Sequence, residues 1–330
     1  MRLPVPRGAL SEVVVDQLAA GSRQHHDPVQ FAAAVEEVVH PLRDEDFQLA
    51  LACCYELHYR GFDGTSDELE WDPALLTLRR VLEQRFLATV TDLVPVPAAS
   101  ADAPLPGLRA LVDADVETTL SRFLWREATL DQFRDFVRQR SIYQLKEADP
   151  HSWQLPRLSG RTKEALAEIQ FDEYGGGRAG RSHAEMFART MRELNLDDTY
   201  GAYWDVALAE TFAAVNLMSL FGLHRRYRGA ALGHLAALEM TSTAPNRRYA
   251  DGLRRLGLGG HAAAYFDEHV EADAVHEQIA AVDMCGSFVR AEPQRHADVL
   301  WGAAACLALD GNASTALLHS WALPAHQGAA

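Results

Sequence analysis

The 330-residue sequence predicts an all-α protein, a helical bundle with additional N-terminal helices. Three observations predict it. Apolar residues recur at three- and four-residue spacing through most of the chain, as they do on helix faces. No series of alternating strands or hairpin turns occurs. The breaks between periodic stretches fall at Pro and Gly, which end helices.

Residues 29–39, 45–60 and 73–90 mix apolar and polar side chains as amphipathic helices do. The segment 95–106 (PVPAASADAPLP) has no periodicity and reads as a linker. It divides the chain into an N-terminal helical region, residues 1–94, and a longer unit, residues 107–330. That unit carries helical periodicity over 107–124, 130–148, 160–174, 183–194, 203–227, 229–240, 247–257, 262–285 and 292–309. Asp149-Pro150 ends one helix, because proline disfavours the helical conformation of its predecessor. Gly175-Gly176-Gly177 breaks the next, and Ala244-Pro245-Asn246 marks a further turn. Gly257-Leu258-Gly259-Gly260 is a turn too, since no strand precedes it as a phosphate loop requires.

Composition narrows the function classes. Hydrophobic residues are 48% and charged residues 23%, as in an ordinary globular chain. The net charge of −15 and the lack of a long basic block argue against nucleic acid or an anionic membrane as partner. No apolar run reaches the ~18 residues of a membrane span. The start, MRLPVPRGAL, lacks the apolar core of a secretory leader. Cys53, Cys54, Cys285 and Cys306 form no C-x-x-C pair and read as buried free thiols, which suits a cytoplasmic protein. No G-x-S-x-G nucleophile elbow is present. The basic cluster His224, Arg225, Arg226 and Arg228 follows an apolar helix, whose C-terminal dipole it complements.

Chemistry is concentrated in four strings. In HVEADAVH, at about 100° per residue, Asp273 falls about 40° round from His269, and His276 about 20° back the other way. Two imidazoles and a carboxylate then share one stripe among small and apolar neighbours. Such a stripe is costly to bury unless something such as a metal satisfies it, although the same spacing also arises as surface decoration. In FDEYGGGRAGRSHAEMF, Glu173 and His183 would be roughly 15 Å apart along a continuous helix. Three glycines between them allow the backbone to turn and bring both to one place; a plain interhelical loop is the alternative. Glu147 in RSIYQLKEADPHSW shares a stripe with Phe136 and Tyr143, and Glu239 in ALGHLAALEMTS shares one with Leu232 and Leu235. An acid on an apolar stripe needs a partner. Glu56, His58 and Glu210 are further potential supports, with no motif to assign them.

Together these strings resemble the heme-oxygenase-like diiron oxidases and oxygenases, the iron-containing redox enzymes. SIYQLKEADPHSW, DEYGGGR, LEMTS and the H-x-x-x-D-x-x-H stripe occur in that family's order with similar spacing. The resemblance runs from residue 107 to the C-terminus and extends more loosely over the N-terminal helices. It implies a heme-oxygenase-like bundle, two irons per chain cycling between Fe(II) and Fe(III), and O2 as co-substrate. It also implies a small-molecule substrate, an external electron donor, and a homodimer paired through the N-terminal helices. Carried across, Glu147, His183 and His276 hold one iron, and His269 and Asp273 the other. Glu239 binds one iron or bridges both. Glu173 matches a further carboxylate that the family associates with N-oxygenation. Some hydrocarbon-forming members instead carry their extra carboxylate three residues before the histidine matching His183, where this chain has Gly180. The implied function is a diiron monooxygenase acting on an amine-type nitrogen of a small metabolite in specialised biosynthesis. The alternatives are a diiron oxidase that cleaves or desaturates a carbon skeleton, and a metal-depleted helical binding protein.

Overall fold

The computed structural model describes residues 1–20, 27–97, 103–114 and 119–322, with the side chains of residues 119 and 272–275 outside that description. The described residues are helical throughout their ordered elements and include no strand. The N-terminal helices are α1 (Ala9–Ala20), α2 (Pro28–Glu36), α3 (Glu45–Glu56) and α4 (Pro73–Leu93). Then follow α5 (Pro104–Ala114), α6 (Thr119–Arg126), α7 (Leu130–Gln144), the short α8 (Asp149–Ser152), α9 (Gly160–Glu173) and α10 (His183–Glu193). The remainder are α11 (Ala209–Leu223), α12 (Arg228–Thr241), α13 (Thr243–Arg255), α14 (Ala264–Gln278), α15 (Gly286–Ala291) and α16 (His296–Ala322).

Local chemistry starts many of these helices. Asp44 accepts a hydrogen bond from the Phe47 amide at the head of α3, and Asp72 does the same for Leu75 before Pro73 opens α4. Thr129 and Gln132 form a reciprocal capping box on α7. Ser182 caps α10 through the Glu185 amide. Periodicity alone does not announce α1, whose cap comes from elsewhere. The Asp46 carboxylate on α3 accepts from the amides of Leu10 and Ser11 at 2.8 and 2.7 Å.

Other bounds differ from the sequence pattern for identifiable reasons. The stretch 107–124 divides into α5 and α6, and α5 already begins at Pro104, inside the expected linker, because proline is well placed in a helix's first turn. The helix expected to reach residue 148 ends at Gln144, and Ala148 adopts a left-handed φ of 77°. The stretch 262–285 continues from α14 into a π-helical turn, Ile279–Cys285. The last helix extends to Ala322.

Three apolar clusters hold these helices. The first joins the N-terminal helices to α11, α12 and α16, with Phe47, Leu51 and Phe86 buried in the same cluster as Phe212, Phe221 and Trp301. The second gathers Phe133, Phe136, Phe187, Tyr249 and Phe266 from α7, α10, α13 and α14. The third combines Leu166, Ile169, Leu232, Met284 and Val299 from α9, α12, the π turn and α16. Helices α12 and α16 approach closely because glycines face the partner backbone. A Cβ at Gly233 would lie 1.8 Å from the Val299 carbonyl oxygen, and one at Gly302 2.0 Å from that of Ala230. Helices that contribute to the second and third clusters carry the chemistry-bearing residues.

Candidate metal centre

Six of the seven side chains singled out in the sequence converge. Glu147 lies on the turn after α7, Glu173 ends α9, His183 begins α10, Glu239 lies on α12, and His269 and His276 lie on α14. The backbone of Asp273 is in α14, but its side chain lies outside the described residues. The six form two groups, Glu147 with His183 and His269, and Glu173 with Glu239 and His276. Within each, the potential ligand atoms lie within 4.8 Å of one another. This grouping differs from the one carried across from the family, which placed His276 with Glu147 and His183. The two histidines of the α14 stripe are seven residues apart, about 10 Å of helix rise, so they reach different groups.

In the first group, His269 Nε2 stands 3.5 Å from Glu147 Oε1, and the rings of His269 and His183 are 4.3 Å apart. His269 Nδ1 lies 2.8 Å from the Tyr265 carbonyl, so it carries the proton and donates there. The Nε2 lone pair then points to the group, the tautomer a metal ligand needs. Tyr265 Oη donates to both oxygens of Glu147 at 2.8 Å, which orients that carboxylate. In the second group, His276 Nδ1 is 3.4 Å from Glu239 Oε2, and His276 Nε2 is 3.1 Å from Asp172 Oδ2. The groups meet where His183 Nδ1 lies 2.9 Å from Glu173 Oε2.

The loop between α9 and α10 makes that contact. Gly175, Gly176, Gly177 and Gly180 all have φ between 62° and 74°, a region other residues adopt only with strain. The chain therefore reverses within a few residues, and the last side chain of α9 faces the first of α10.

The residues fit a metal. Glu173, His183, Glu239, His269 and His276 are buried, and three of their atoms are orphaned: Glu173 Oε2, His183 Nδ1 and His276 Nδ1. His183 and Glu173 are close, but neither atom completes a well-directed hydrogen bond. Buried polar atoms without partners are uncommon and costly, and a cation shared among them removes the cost. Three carboxylates against three imidazoles also leave net negative charge when the rings are neutral. Mixed nitrogen and oxygen donors suit iron, as they do other first-row divalent ions.

Without a metal, protons take over part of that role. Burial opposes ionisation of Glu173, but His183, helped by His269 and His276, outweighs it and holds the carboxyl at about 2. His183 is raised in turn, burial opposing and Glu173 prevailing. Burial also opposes protonation of His276, yet Glu239 and then Asp172 push it up to about 9. Glu239 is raised by burial, with the nearby His276 acting the other way.

A cavity of about 380 Å³ opens beside the two groups, within the range that holds small ligands. Glu147, Glu173, Glu239 and His269 line it together with apolar residues such as Phe136 and Leu235. His151 and His234 line it too, with His151 Nε2 3.2 Å from His234 Nδ1. Burial pushes both rings toward the neutral form, lowering His151 to about 4 and His234 well below the usual histidine value.

Sequence reasoning passed over four of these residues. Tyr265 lies one turn before His269 on the same stripe, so the α14 pattern contained it. Asp172 is the neighbour of Glu173. His151 and His234 sit inside the quoted strings, but nothing local to either shows that they touch. Conversely, Glu56 proves to be paired with Lys146 and Tyr200, and His58 with Glu70. His224, just after α11, pairs with Glu83, and Arg228, the first residue of α12, pairs with Glu292.

No helix among the described residues is long and apolar enough to cross a membrane. Among curated proteins none matches the chain by sequence. A family model for iron-containing redox enzymes matches residues 134–311, more than half of the chain, from within α7 to within α16. All seven residues fall inside that span. The chain therefore belongs to the iron-containing redox enzymes.

Proposed function

We propose that this enzyme binds two irons and N-oxygenates an amine-type nitrogen of a small metabolite, using O2 and electrons from an external donor. One observation carries the reading: two adjacent carboxylate and imidazole groups, with orphaned ligand atoms, border a ligand-sized cavity. Glu147, His183 and His269 hold one iron, and Glu173, Glu239 and His276 the other. Ferrous iron in that place supplies electrons to O2 and the Lewis acidity that polarises it. Support for a nitrogen target is the extra carboxylate, Glu173, which the glycine turn delivers to the second group. The cavity also suits an amine. Its arginine, Arg140, is paired with Asp310 at 2.9 Å, so among the described lining residues no unpaired arginine or lysine repels a basic nitrogen there. Phe136, Leu235 and Leu238 add apolar surface to its lining.

The test loads the protein anaerobically with Fe(II), supplies a panel of primary amines and amino compounds with reductant, and admits O2. Products that gain oxygen on nitrogen with an intact carbon skeleton support the proposal. Loss of carbon or hydrogen from the skeleton instead establishes the carbon-oxidising alternative, and an inability to retain iron removes both.

We also propose a homodimer paired through the N-terminal helices. The chain's own core takes up the apolar faces of α1, α3 and α4, while Val29, Val39 and Trp71 remain exposed for a partner. A monomer mass by light scattering at micromolar concentration would exclude it.

A further inference from the structure

A second cluster of buried charge, whose side chains stay out of the cavity lining, surrounds the backbone that carries Glu147. Glu56, the last residue of α3, is fully buried, and Lys146 is 3% exposed. Lys146 Nζ donates to Glu56 Oε2 at 3.0 Å and stands 4.1 Å from the centre of the Tyr59 ring. Tyr200 Oη donates to the same carboxylate oxygen at 2.9 Å, and the Arg60 amide approaches Oε1 at 3.3 Å. The Arg60 guanidinium stacks on Tyr200 and donates to the Leu145 carbonyl at 3.0 Å. The end of α3 and the turn that follows it thus grip both the side chain of Lys146 and the carbonyl of Leu145.

Glu147 is the next residue, and Ala148 beyond it has φ of 77°. A left-handed alanine persists only where its surroundings over-determine it. Burying an ion pair is a poor way to stabilise a fold, since an apolar pair of equal volume does as well or better. An ion pair with fixed hydrogen-bond directions does, however, set register, which an apolar pair does not.

We propose that Glu56 and Lys146 are positioning residues through which the N-terminal helices aim Glu147 at its metal, given that Glu147 is a ligand as proposed above. Glu56 lies well before residue 134, where the family match begins. The N-terminal helices are on this account part of the metal centre's support. Because the pair acts on the turn carrying Glu147, it governs the Glu147, His183 and His269 group and leaves the Glu173, Glu239 and His276 group alone.

Removing one partner strands a buried charge and risks unfolding, so the informative variant is Glu56→Leu with Lys146→Met in the full chain. Two measurements are made on it. Cobalt(II), followed by its visible absorption, is titrated into the double variant in two backgrounds. In Glu173→Ala only the first group retains its ligands, and the Leu/Met pair should lower cobalt affinity about 10–100-fold, as for other supports of metal ligands. In His269→Ala only the second group retains them, and the Leu/Met pair should change nothing. Equal cobalt affinity with and without the pair in the Glu173→Ala background overturns the proposal, and so does an equal loss in both backgrounds. Hydrogen exchange of the metal-free double variant supplies the second reading. The amides of Lys146, Glu147 and Asp149, bonded to Tyr143, Gln144 and Lys146, should lose protection while the rest of α7 keeps it. Unchanged protection there overturns the clamp even if the parent protein takes up no cobalt, an outcome that would by itself remove the proposed diiron function.

Discussion

Alanine at Gly175 and at Gly177 separates backbone strain from loop geometry at the candidate metal centre. Both glycines have left-handed φ, 69° and 71°. An alanine costs about 1–2 kcal/mol at either position through strain alone. Their surroundings differ. A Cβ at Gly177 meets nothing within 4 Å, whereas one at Gly175 would lie 2.4 Å from the Arg181 carbonyl carbon and 2.6 Å from the Ser182 nitrogen. Carbon atoms in contact sit at about 3.5 Å, so the backbone at residues 181–182 must retreat by about 1 Å. His183 follows directly, and its Nδ1 stands 2.9 Å from Glu173 Oε2. A retreat of that size displaces His183 relative to the ligands of both groups. Gly177→Ala should therefore lower unfolding free energy by about 1–2 kcal/mol and bind metal as the parent does. Gly175→Ala should show the same strain and also lose about 10-fold or more in metal affinity. Urea denaturation and anaerobic Fe(II) titration of both proteins read the two effects. Equal metal affinity in the two variants would refute the idea that this turn sets the Glu173–His183 distance.

His269→Ala and His276→Ala should remove different metals. The first should leave a site that Glu173→Ala then abolishes, and the second a site that Tyr265→Phe weakens; stoichiometry by chelator assay distinguishes this from the family-derived grouping, in which His276 and Glu147 share an iron. In the metal-free protein, Tyr265→Phe leaves the Glu147 carboxylate without its two 2.8 Å hydrogen bonds and should cost about 1–3 kcal/mol in chemical denaturation. Stability of the metal-free protein should also follow pH in two directions. His276 is raised from 6.5 to about 9, so its contribution is complete below pH 6.5 and disappears as pH rises through about 9. Glu173 is lowered from 4.5 to about 2, so its contribution is complete above pH 4.5 and disappears as pH falls through about 2. Melting temperature should peak between those limits, near pH 5–6; a Glu173→Gln, His276→Gln double variant with an unchanged profile would assign the pH dependence elsewhere.

Residue types and their local spacing determined a good deal. Periodicity identified the helices because a helix's own face records which side it buries, and caps such as Asp44, Thr129 and Ser182 lie within three residues of the amides they satisfy. The resemblance named seven residues, six of which the structure brings together. The triple glycine likewise announced a reversal between Glu173 and His183, because left-handed φ favours that residue type.

Tertiary structure decided the rest. Helix α1 depends on Asp46, which lies 36 residues from Leu10, and no local pattern contains that cap. The division into two groups depends on how the turn after α7, the end of α9, the start of α10 and α12 come together at α14. Spacing within HVEADAVH shows that His269 and His276 share a stripe but not that their partners differ. The end of α7 at Gln144 and the left-handed Ala148 are likewise invisible locally, because the partners of that turn, Arg60 and Glu56, lie 85 and 90 residues away in the N-terminal region. A sequence records what each element prefers, whereas the direction of a ligand is set by contacts between elements whose separation along the chain carries no signal.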